Sequence, residues 1–198
     1  MRKYAYFPGC SLEKMALGYH KSAVETARAL GVDLRELEDW NCCGATAYFH
    51  IDEILAYTLC ARNLAMAEKE KLDVVAPCSG CYKNMYATRE HLRKEPDLAE
   101  HINDALAEDD LRFRGTSRVR HLLDVFVKDV GLEKVRKAVE KPLKGLRVAA
   151  YYGCQIVRPR KGDEDVERPQ YFEDLVRALG AEPVDFRLKL RCCGGSLI

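Results

Sequence analysis

Two short apolar runs along the chain have the pattern of buried strands. The run KYAYF at 3–7 stops at a Pro-Gly pair, and the run LDVVAP at 72–77 ends on a proline. Short runs of aromatic and β-branched residues bounded by Pro and Gly are typical of strands that lead into loops. We therefore predict a strand at each position, followed by a loop that contains a cysteine, Cys10 or Cys78.

Longer segments between and after these runs have the spacing of helices. Apolar residues recur at intervals of three and four in 19–31 and in 52–71, which predicts two amphipathic helices. A charged helical stretch follows from 83 to 107, and the segment 112–121 is expected to open a further helix at 121–131. Strands that alternate with helices predict an α/β fold with mostly parallel sheets, in which ligands bind at the carboxyl ends of the strands.

The chain also contains an internal repeat. The stretch YAYFPGCS at 4–11 resembles VAAYYGCQ at 148–155, and in both halves an Ala-Leu-Gly stretch is followed by Cys-Cys-Gly. We therefore predict two tandem, pseudo-repeated α/β units, a complete first domain at 1–140 and the start of a second at 141–198. The second unit has no counterpart of APCSGC, so we expect it to be a truncated copy.

Charge and hydropathy narrow the functional classes. The formal net charge is +1, and the basic residues do not gather in one stripe, which argues against a nucleic-acid partner. The apolar runs are too short to span a bilayer, and the stretch MRKYAYFPGC lacks the apolar core of a signal peptide. We therefore expect a cytoplasmic protein without a membrane span of its own.

The chain has nine cysteines. In an intracellular protein, cysteines are more often metal ligands or redox thiols than partners in disulfides. Five follow the spacing C-x31-CCG-x33-C-x2-C and are called the first cysteine set: Cys10, Cys42, Cys43, Cys78 and Cys81. Three more form the second cysteine set: Cys154, Cys192 and Cys193. The ninth, Cys60, lies within a predicted helix and is expected to be a small buried core residue.

The first cysteine set has one thiol more than a zinc ion or an ordinary cubane [4Fe-4S] cluster uses. Adjacent cysteines are also poor chelators of a single ion, since one backbone step points their side chains apart. They can instead reach different irons of a cluster, and Gly44 leaves room for a close approach. The pattern therefore favours a multi-iron cluster. A structural zinc site and a thioredoxin-like CSGC pair are the alternatives.

These motifs resemble those of a known family. The stretches FPGCS, CCGA, ARNLAMAE, APCSGCY, HLLDVF and RCCGGSL are similar to the cysteine-rich CCG domain in the B-type subunit of heterodisulfide reductase, and the similarity runs nearly end to end. The resemblance implies a noncubane [4Fe-4S] cluster, made of two fused rhombs, on the first cysteine set. These cysteines would bind the cofactor and take part in catalysis through it. Zinc is the alternative metal at one site.

The resemblance also implies an activity and partners. In an oxidoreductase of this kind, a disulfide of the coenzyme M–coenzyme B type is reduced, as in methanogenesis, with electrons from an A-type flavin subunit and a C-type, ferredoxin-like iron–sulfur subunit. The chain has no G-x-G-x-x-G stretch for a flavin or nicotinamide, so a partner must supply the electrons. Two alternatives stay open. One is an electron-transfer subunit of a glycolate, lactate or succinate dehydrogenase-like complex. The other is a structural zinc domain that docks redox subunits.

The second cysteine set is expected to come together, because its loops repeat those of Cys10, Cys42 and Cys43. Three thiols leave a four-iron cluster short of ligands. We therefore expect this second metal site to be empty, degraded or occupied by a metal such as zinc, and disulfide reduction by this chain to be weak or absent.

Overall fold

The computed structural model describes residues 1–45, 48–159 and 165–195. The chain packs as two units, 1–121 and 122–198. By packing, residues 122–140 belong to the second unit. The boundary predicted after residue 140 divides two family domains rather than two packing units, and it stays a prediction. The end of the RCCGGSL stretch lies outside the described residues.

The first unit is built on a parallel sheet of four strands, β1 (Arg2–Tyr6), β2 (Val32–Glu36), β3 (Val74–Ala76) and β4 (Val119–His121). Their order in the sheet is β2-β1-β3-β4. Residues Arg2, Ala5 and Val74 stand opposite Val32, Val74 and Val119, respectively, in three parallel ladders. Because every neighbour is parallel, the carboxyl ends of all four strands lie along one edge. The predicted mostly parallel α/β fold is confirmed.

Helices connect these strands, and the two amphipathic segments predicted from periodicity correspond to α2 and α4. The stretch 83–107, predicted as continuously helical, is divided into α5 and α6 at Pro96, because proline lacks the N–H of a helix interior and restricts the residue before it. The helices are α1 (Cys10–Glu13), α2 (Leu17–Ala29), α3 (Tyr48–Ile51), α4 (Glu53–Lys69), α5 (Ser79–Leu92) and α6 (Pro96–Leu106), and a 3₁₀ turn follows at Ala107–Asp109.

The prediction that 112–121 opens a helix is wrong, because this segment leads into strand β4. The buried carboxylate of Glu68, on α4, accepts hydrogen bonds from the backbone N–H groups of Arg114 and Thr116, both at 2.6 Å. Those N–H groups are therefore not available for helical bonds. Beyond the strand, the predicted helix at 121–131 is a short α7 (Leu122–Asp124) continued by a π-helical segment (Val125–Gly131).

The core of the first unit lies between the sheet and helices α4, α5 and α6. Helix α4 passes through this core, which explains why most of its apolar face is buried. Among the described residues, no helix is both long enough and apolar enough to cross a membrane. The largest buried side chains of this core include Phe7, Leu64, Met85, Leu92 and Ile102.

The second unit has its own small core and a short parallel pair of strands. Strand β5 (Arg147–Val148) pairs with β6 (Glu182–Pro183), and α9 (Tyr171–Ala178) lies between them in the chain. This strand–helix–strand order repeats that of β1, α2 and β2. Helix α8 (Leu132–Ala138) precedes β5. The core residues are Leu123, Ala150, Tyr152, Ile156, Val157 and Tyr171.

Candidate metal centre

The carboxyl edge of the first sheet positions the loops that contain the first cysteine set. Strand β1 ends at Tyr6, four residues before Cys10, and β3 ends at Ala76, two residues before Cys78. Because β1 and β3 are parallel neighbours, both loops leave the sheet on the same side. The double cysteine follows β2, the other neighbour of β1.

The CSGC stretch forms the start of helix α5. Cys78 occupies the N-cap position, and Cys81 lies in the first turn. A hydrogen bond with Cys81 and bonds from the backbone N–H groups of Gly80 and Cys81 lower the pKa of the Cys78 thiol to about 6, against the opposing effect of burial. The helix start thus favours a thiolate at Cys78.

The adjacent cysteines face different neighbours. The Sγ atom of Cys43 is buried and lies 3.4 Å from the Sγ atom of Cys81. Cys42 is exposed and interacts with Cys10 instead: burial raises the pKa of the Cys10 thiol, and Cys42 raises it further through its charge and a hydrogen bond. The charges of Cys43 and Cys78 raise the pKa of Cys10 as well, so all five thiols belong to one interacting group.

This crowding makes full ionisation of the group unfavourable without a cation. The hydrogen bond with Cys81 lowers the pKa of Cys43, whereas the hydrogen bonds with Cys43 and Cys78 raise the pKa of Cys81. Neighbouring thiolates repel one another in a partly buried site, and the positive charge of a bound metal offsets that repulsion and so allows the ligating thiols to lose their protons. An iron–sulfur group therefore fits the all-sulfur donor set.

Gly9 gives the first cysteine set room that no other residue type would leave. Its φ is +76°, and a Cβ atom added there would lie 2.9 Å from the Sγ atom of Cys81. This role of Gly9 was not predicted, although the Pro-Gly pair before Cys10 was its signal in the sequence. Gly44 also has a positive φ, of +66°, but its nearest neighbours are Tyr48 and residues of α4 rather than a thiol.

The contacts within the first cysteine set are pairwise. In the ranges that the structure describes, no group of three or more His, Cys, Asp or Glu side chains is placed to hold a single metal ion. The assignment of these cysteines as ligands, and the choice between a cluster and zinc, stay predictions.

Cys60 lies in the hydrophobic core, as predicted from its position within a helix. Its side chain has no exposed area, and burial raises the pKa of its thiol. The Sγ atom donates a hydrogen bond of 3.2 Å to the carbonyl oxygen of Cys43. Cys60 thus contacts the backbone of the double cysteine, and the charges of Cys43 and Cys42 raise the pKa of its thiol further.

The structure also brings the second cysteine set together. Burial raises the pKa of the half-buried Cys154, and a hydrogen bond with Cys192 raises it further. The pKa of Tyr151 is raised first by desolvation and then by the charges of Cys193, Cys192 and Cys154. Cys192 and Cys193 are exposed. Cys154 and Cys192 therefore interact, and the metal content of the second cysteine set stays a prediction.

A buried ion pair joins the loops of the second cysteine set. Lys189 Nζ lies 2.7 Å from the carboxylate of Glu173, on α9, and the hydroxyl of Tyr152 donates to the same carboxylate. The carbonyl oxygen of Lys189 accepts hydrogen bonds from the N–H groups of Tyr152 and Gly153, at 2.9 and 3.0 Å. The segment before Cys154 is thereby tied to the segment before Cys192.

The lowered pKa of Cys78 predicts selective alkylation of the metal-free, reduced protein. A thiol with a pKa near 6 is mostly thiolate at pH 7, so Cys78 should react with iodoacetamide at a rate that rises up to pH 6 and then levels off. Its rate should fall about tenfold per unit below pH 6. Cys60, whose pKa is raised by burial, should stay unlabelled. Labelling between pH 5 and 9, followed by mass spectrometry, checks this, and a midpoint near pH 8.5 at Cys78 would contradict it.

The sequence matches a model of the CCG family of cysteine-rich domains over residues 4–86 and 148–198. These two segments contain both cysteine sets. The internal repeat therefore corresponds to two matches with one family model.

Three curated relatives are similar over nearly the whole chain. The 8-methylmenaquinol:fumarate reductase membrane anchor subunit of Wolinella succinogenes is 40% identical over 98% of this chain and 67% of its own length. The B-type subunit of the ferredoxin:CoB-CoM heterodisulfide reductase of Methanosarcina mazei is 34% identical over 98% of this chain and 65% of its own length. A protein of Archaeoglobus profundus that is named as similar to this heterodisulfide reductase subunit is 31% identical over 98% and 67%, respectively. The chain thus spans about two thirds of the length of these relatives.

Among solved structures, a hypothetical protein from Helicobacter pylori is similar with a TM-score of 0.72 at 15% identity, over 96% of this chain and 34% of the other. At that identity the likeness concerns the fold alone, and it agrees with the α/β architecture of this chain. The family follows from the sequence matches: the chain belongs to the cysteine-rich CCG-domain proteins that include the B-type subunits of heterodisulfide reductase.

Proposed function

We propose that the chain is the iron–sulfur subunit of an oxidoreductase complex and that its first cysteine set holds a noncubane [4Fe-4S] cluster. The observation that supports this most is the division of the double cysteine: the buried Cys43 thiol lies 3.4 Å from that of Cys81, whereas Cys42 is exposed and raises the pKa of Cys10. Neighbouring thiols that face two different partners are better placed to bind different irons of a cluster than to bind one ion together. The family relationship points the same way.

The residues around the site have distinct tasks in this proposal. Cys43 and Cys81 are buried and would hold the inner side of the cluster, whereas the exposed Cys10 and Cys42 would hold the side that a substrate or partner can reach. Cys78 lies at the N-terminus of α5, where the helix dipole favours negative charge. A bound cluster supplies one-electron oxidation and reduction at this edge of the sheet.

The substrate in this proposal is a disulfide of the coenzyme M–coenzyme B type, as the name of the Methanosarcina mazei relative indicates for that protein. Two electrons and two protons convert such a disulfide into two thiols. The electrons would come through a ferredoxin-like subunit from a flavin subunit, in a cytoplasmic complex that serves methanogenesis or a related sulfur metabolism. Zinc at one of the two cysteine sets is the alternative metal.

A second candidate is an electron-transfer subunit without disulfide chemistry. The relative from Wolinella succinogenes, at 40% identity, is named as a fumarate reductase subunit. In that case the same cluster would pass electrons between partner subunits and would not meet a disulfide.

Reaction of the reduced protein with the heterodisulfide distinguishes the two candidates. The anaerobically reconstituted chain, reduced with titanium(III) citrate, should show a changed electron paramagnetic resonance spectrum on addition of the coenzyme M–coenzyme B disulfide and should release free thiols slowly. The Cys43→Ser variant is the control and should do neither. An unchanged spectrum and no thiol release, with rapid reoxidation by a quinone or ferredoxin, would overturn the disulfide proposal in favour of electron transfer.

A further inference from the structure

Two buried asparagines contact the backbone of the segment 41–43, which contains the double cysteine. Asn63, on α4, has no exposed area, and Asn84, on α5, is 3% exposed. Buried side-chain amides are unfavourable in a core unless their polar atoms are paired. The partners of both amides lie in the segment 41–43, apart from one bond within α4.

Asn63 pairs with both backbone groups of the residue before Cys42. Its Oδ1 atom accepts a hydrogen bond from the N–H of Asn41 at 3.1 Å, and its Nδ2 atom donates to the carbonyl of Asn41 at 2.9 Å. The Nδ2 atom also donates to the carbonyl of Leu59, one turn earlier in α4, at 3.0 Å. The side-chain amide of Asn63 therefore pairs with both backbone groups of Asn41, as a neighbouring β-strand would.

The carbonyl of Cys43 is held from two helices. Cys60, on α4, donates to it at 3.2 Å, and Asn84, on α5, donates at 3.4 Å. Asn84 lies one turn after Cys81, whose thiol contacts that of Cys43. Helix α5 thus touches Cys43 at its side chain and at its backbone.

Asn41 itself closes the arrangement at Cys42. Its Nδ2 atom donates to the carbonyl oxygens of Cys42 and Leu59, at 2.9 and 3.0 Å. Arg62 donates to the Oδ1 atom of Asn41 at 3.2 Å. The carbonyls of three successive residues, 41 to 43, are therefore all bonded to side chains.

We propose that Asn63 and Asn84, here called the asparagine clamp, are positioning residues that fix the backbone of the double cysteine so that its two thiols face different neighbours. The clamp touches neither thiol and acts through the backbone of residues 41 to 43. This inference rests on the proposed function in one respect, namely that the two thiols hold a cluster. Outer-shell residues of metal sites commonly act in this way, and their loss lowers metal affinity about 10- to 100-fold.

The chain provides a matched control for the clamp. Asn103, on α6, is also buried, and its amide makes the same two-pronged contact with the backbone of Phe113, at 2.7 and 3.1 Å. The segment around Phe113 contains no cysteine. Loss of either amide should destabilise the fold, but only loss of Asn63 should disturb the cysteine loop.

Two measurements on the full chain test the clamp. In the metal-free protein, Asn63→Ala should speed hydrogen exchange at the amide of Asn41 at least about tenfold relative to wild type, since that N–H loses its acceptor. In the reconstituted protein, Asn63→Ala should release iron to a chelator about tenfold faster and alter the cluster's electron paramagnetic resonance spectrum. Asn103→Ala should lower the melting temperature without either change.

The outcomes separate the clamp from the proposed function. Unchanged exchange at Asn41 in Asn63→Ala overturns the clamp, whether or not the wild type binds a cluster. If exchange at Asn41 is faster in Asn63→Ala but the wild type binds no iron, the role of the clamp in fixing the backbone is supported and the proposed function is overturned. If Asn63→Ala does not fold, Asn84→Ala removes a single weaker bond. Iron release from it at the wild-type rate, with an unchanged spectrum, then overturns the clamp.

Discussion

Replacement of Cys81 by serine should remove the cluster from the first cysteine set. Cys81 is linked to two other members of the set: its Sγ atom lies 3.4 Å from that of Cys43, and the thiol of Cys78 also raises the pKa of Cys81. A serine hydroxyl is a poor ligand for iron in a thiolate site, so the variant should lose one ligand and the link between the two loops. The affinity for iron should fall by more than the roughly 10- to 100-fold typical of outer-shell changes, so little iron should be retained. Iron analysis and visible absorption after anaerobic reconstitution measure this.

Cys60→Ser is the matched control for this prediction. Cys60 is as buried as any residue of the core, and a serine hydroxyl can donate the same hydrogen bond to the carbonyl of Cys43. This variant should therefore keep its iron while losing some stability. Equal iron loss in both variants would show that the loss reflects general unfolding, and full iron in Cys81→Ser would remove Cys81 from the ligand set.

Replacement of Gly9 by alanine should also abolish cluster binding, although it removes no ligand. Gly9 has φ +76° and ψ 157°, a conformation that is nearly confined to glycine and costs about 1–3 kcal/mol for other residues. The new methyl group would also lie 2.9 Å from the Sγ atom of Cys81, so that the thiol or the loop must move. Iron content and the melting temperature should both fall.

Gly131→Ala separates the two effects. Gly131 precedes α8 as Gly9 precedes α1, and its backbone angles are similar, with φ +87° and ψ 141°. A Cβ atom there would meet nothing within 4 Å. Gly131→Ala should therefore lower the melting temperature by a few degrees, about 2–4 °C per kcal/mol for a chain of this size, with normal iron content. Normal iron in Gly9→Ala would contradict the close approach at Cys81.

The sequence predicted those parts of the site that depend on local chain chemistry. Apolar runs that end in proline or Pro-Gly identified β1 and β3, and the carboxyl ends of these strands determine where Cys10 and Cys78 lie. The repeat predicted a second set of cysteine loops, and in the structure Cys154 interacts with Cys192. These features could be predicted without knowledge of distant contacts.

The features that were missed depend on residues far apart in the chain. Strand β4 follows a loop bound to Glu68, which is separated from that loop by more than 40 residues. Asn63 was not recognised, because its role is visible only once α4 lies beneath the double cysteine; a polar residue within the apolar stretch LCARNLAMA was the one available signal. Likewise, no spacing rule indicates that Cys42 faces Cys10 while Cys43 faces Cys81.

Metal and sulfide analysis of the anaerobically purified chain tests the central claim most directly. If the first cysteine set holds a noncubane cluster, protein that was never exposed to air should contain roughly four irons and four acid-labile sulfides for that site. Substitution of Cys42 or Cys43 by serine should alter its Mössbauer and electron paramagnetic resonance spectra. Stoichiometric zinc with negligible iron and no labile sulfide would contradict the claim and would make the first cysteine set a structural zinc site.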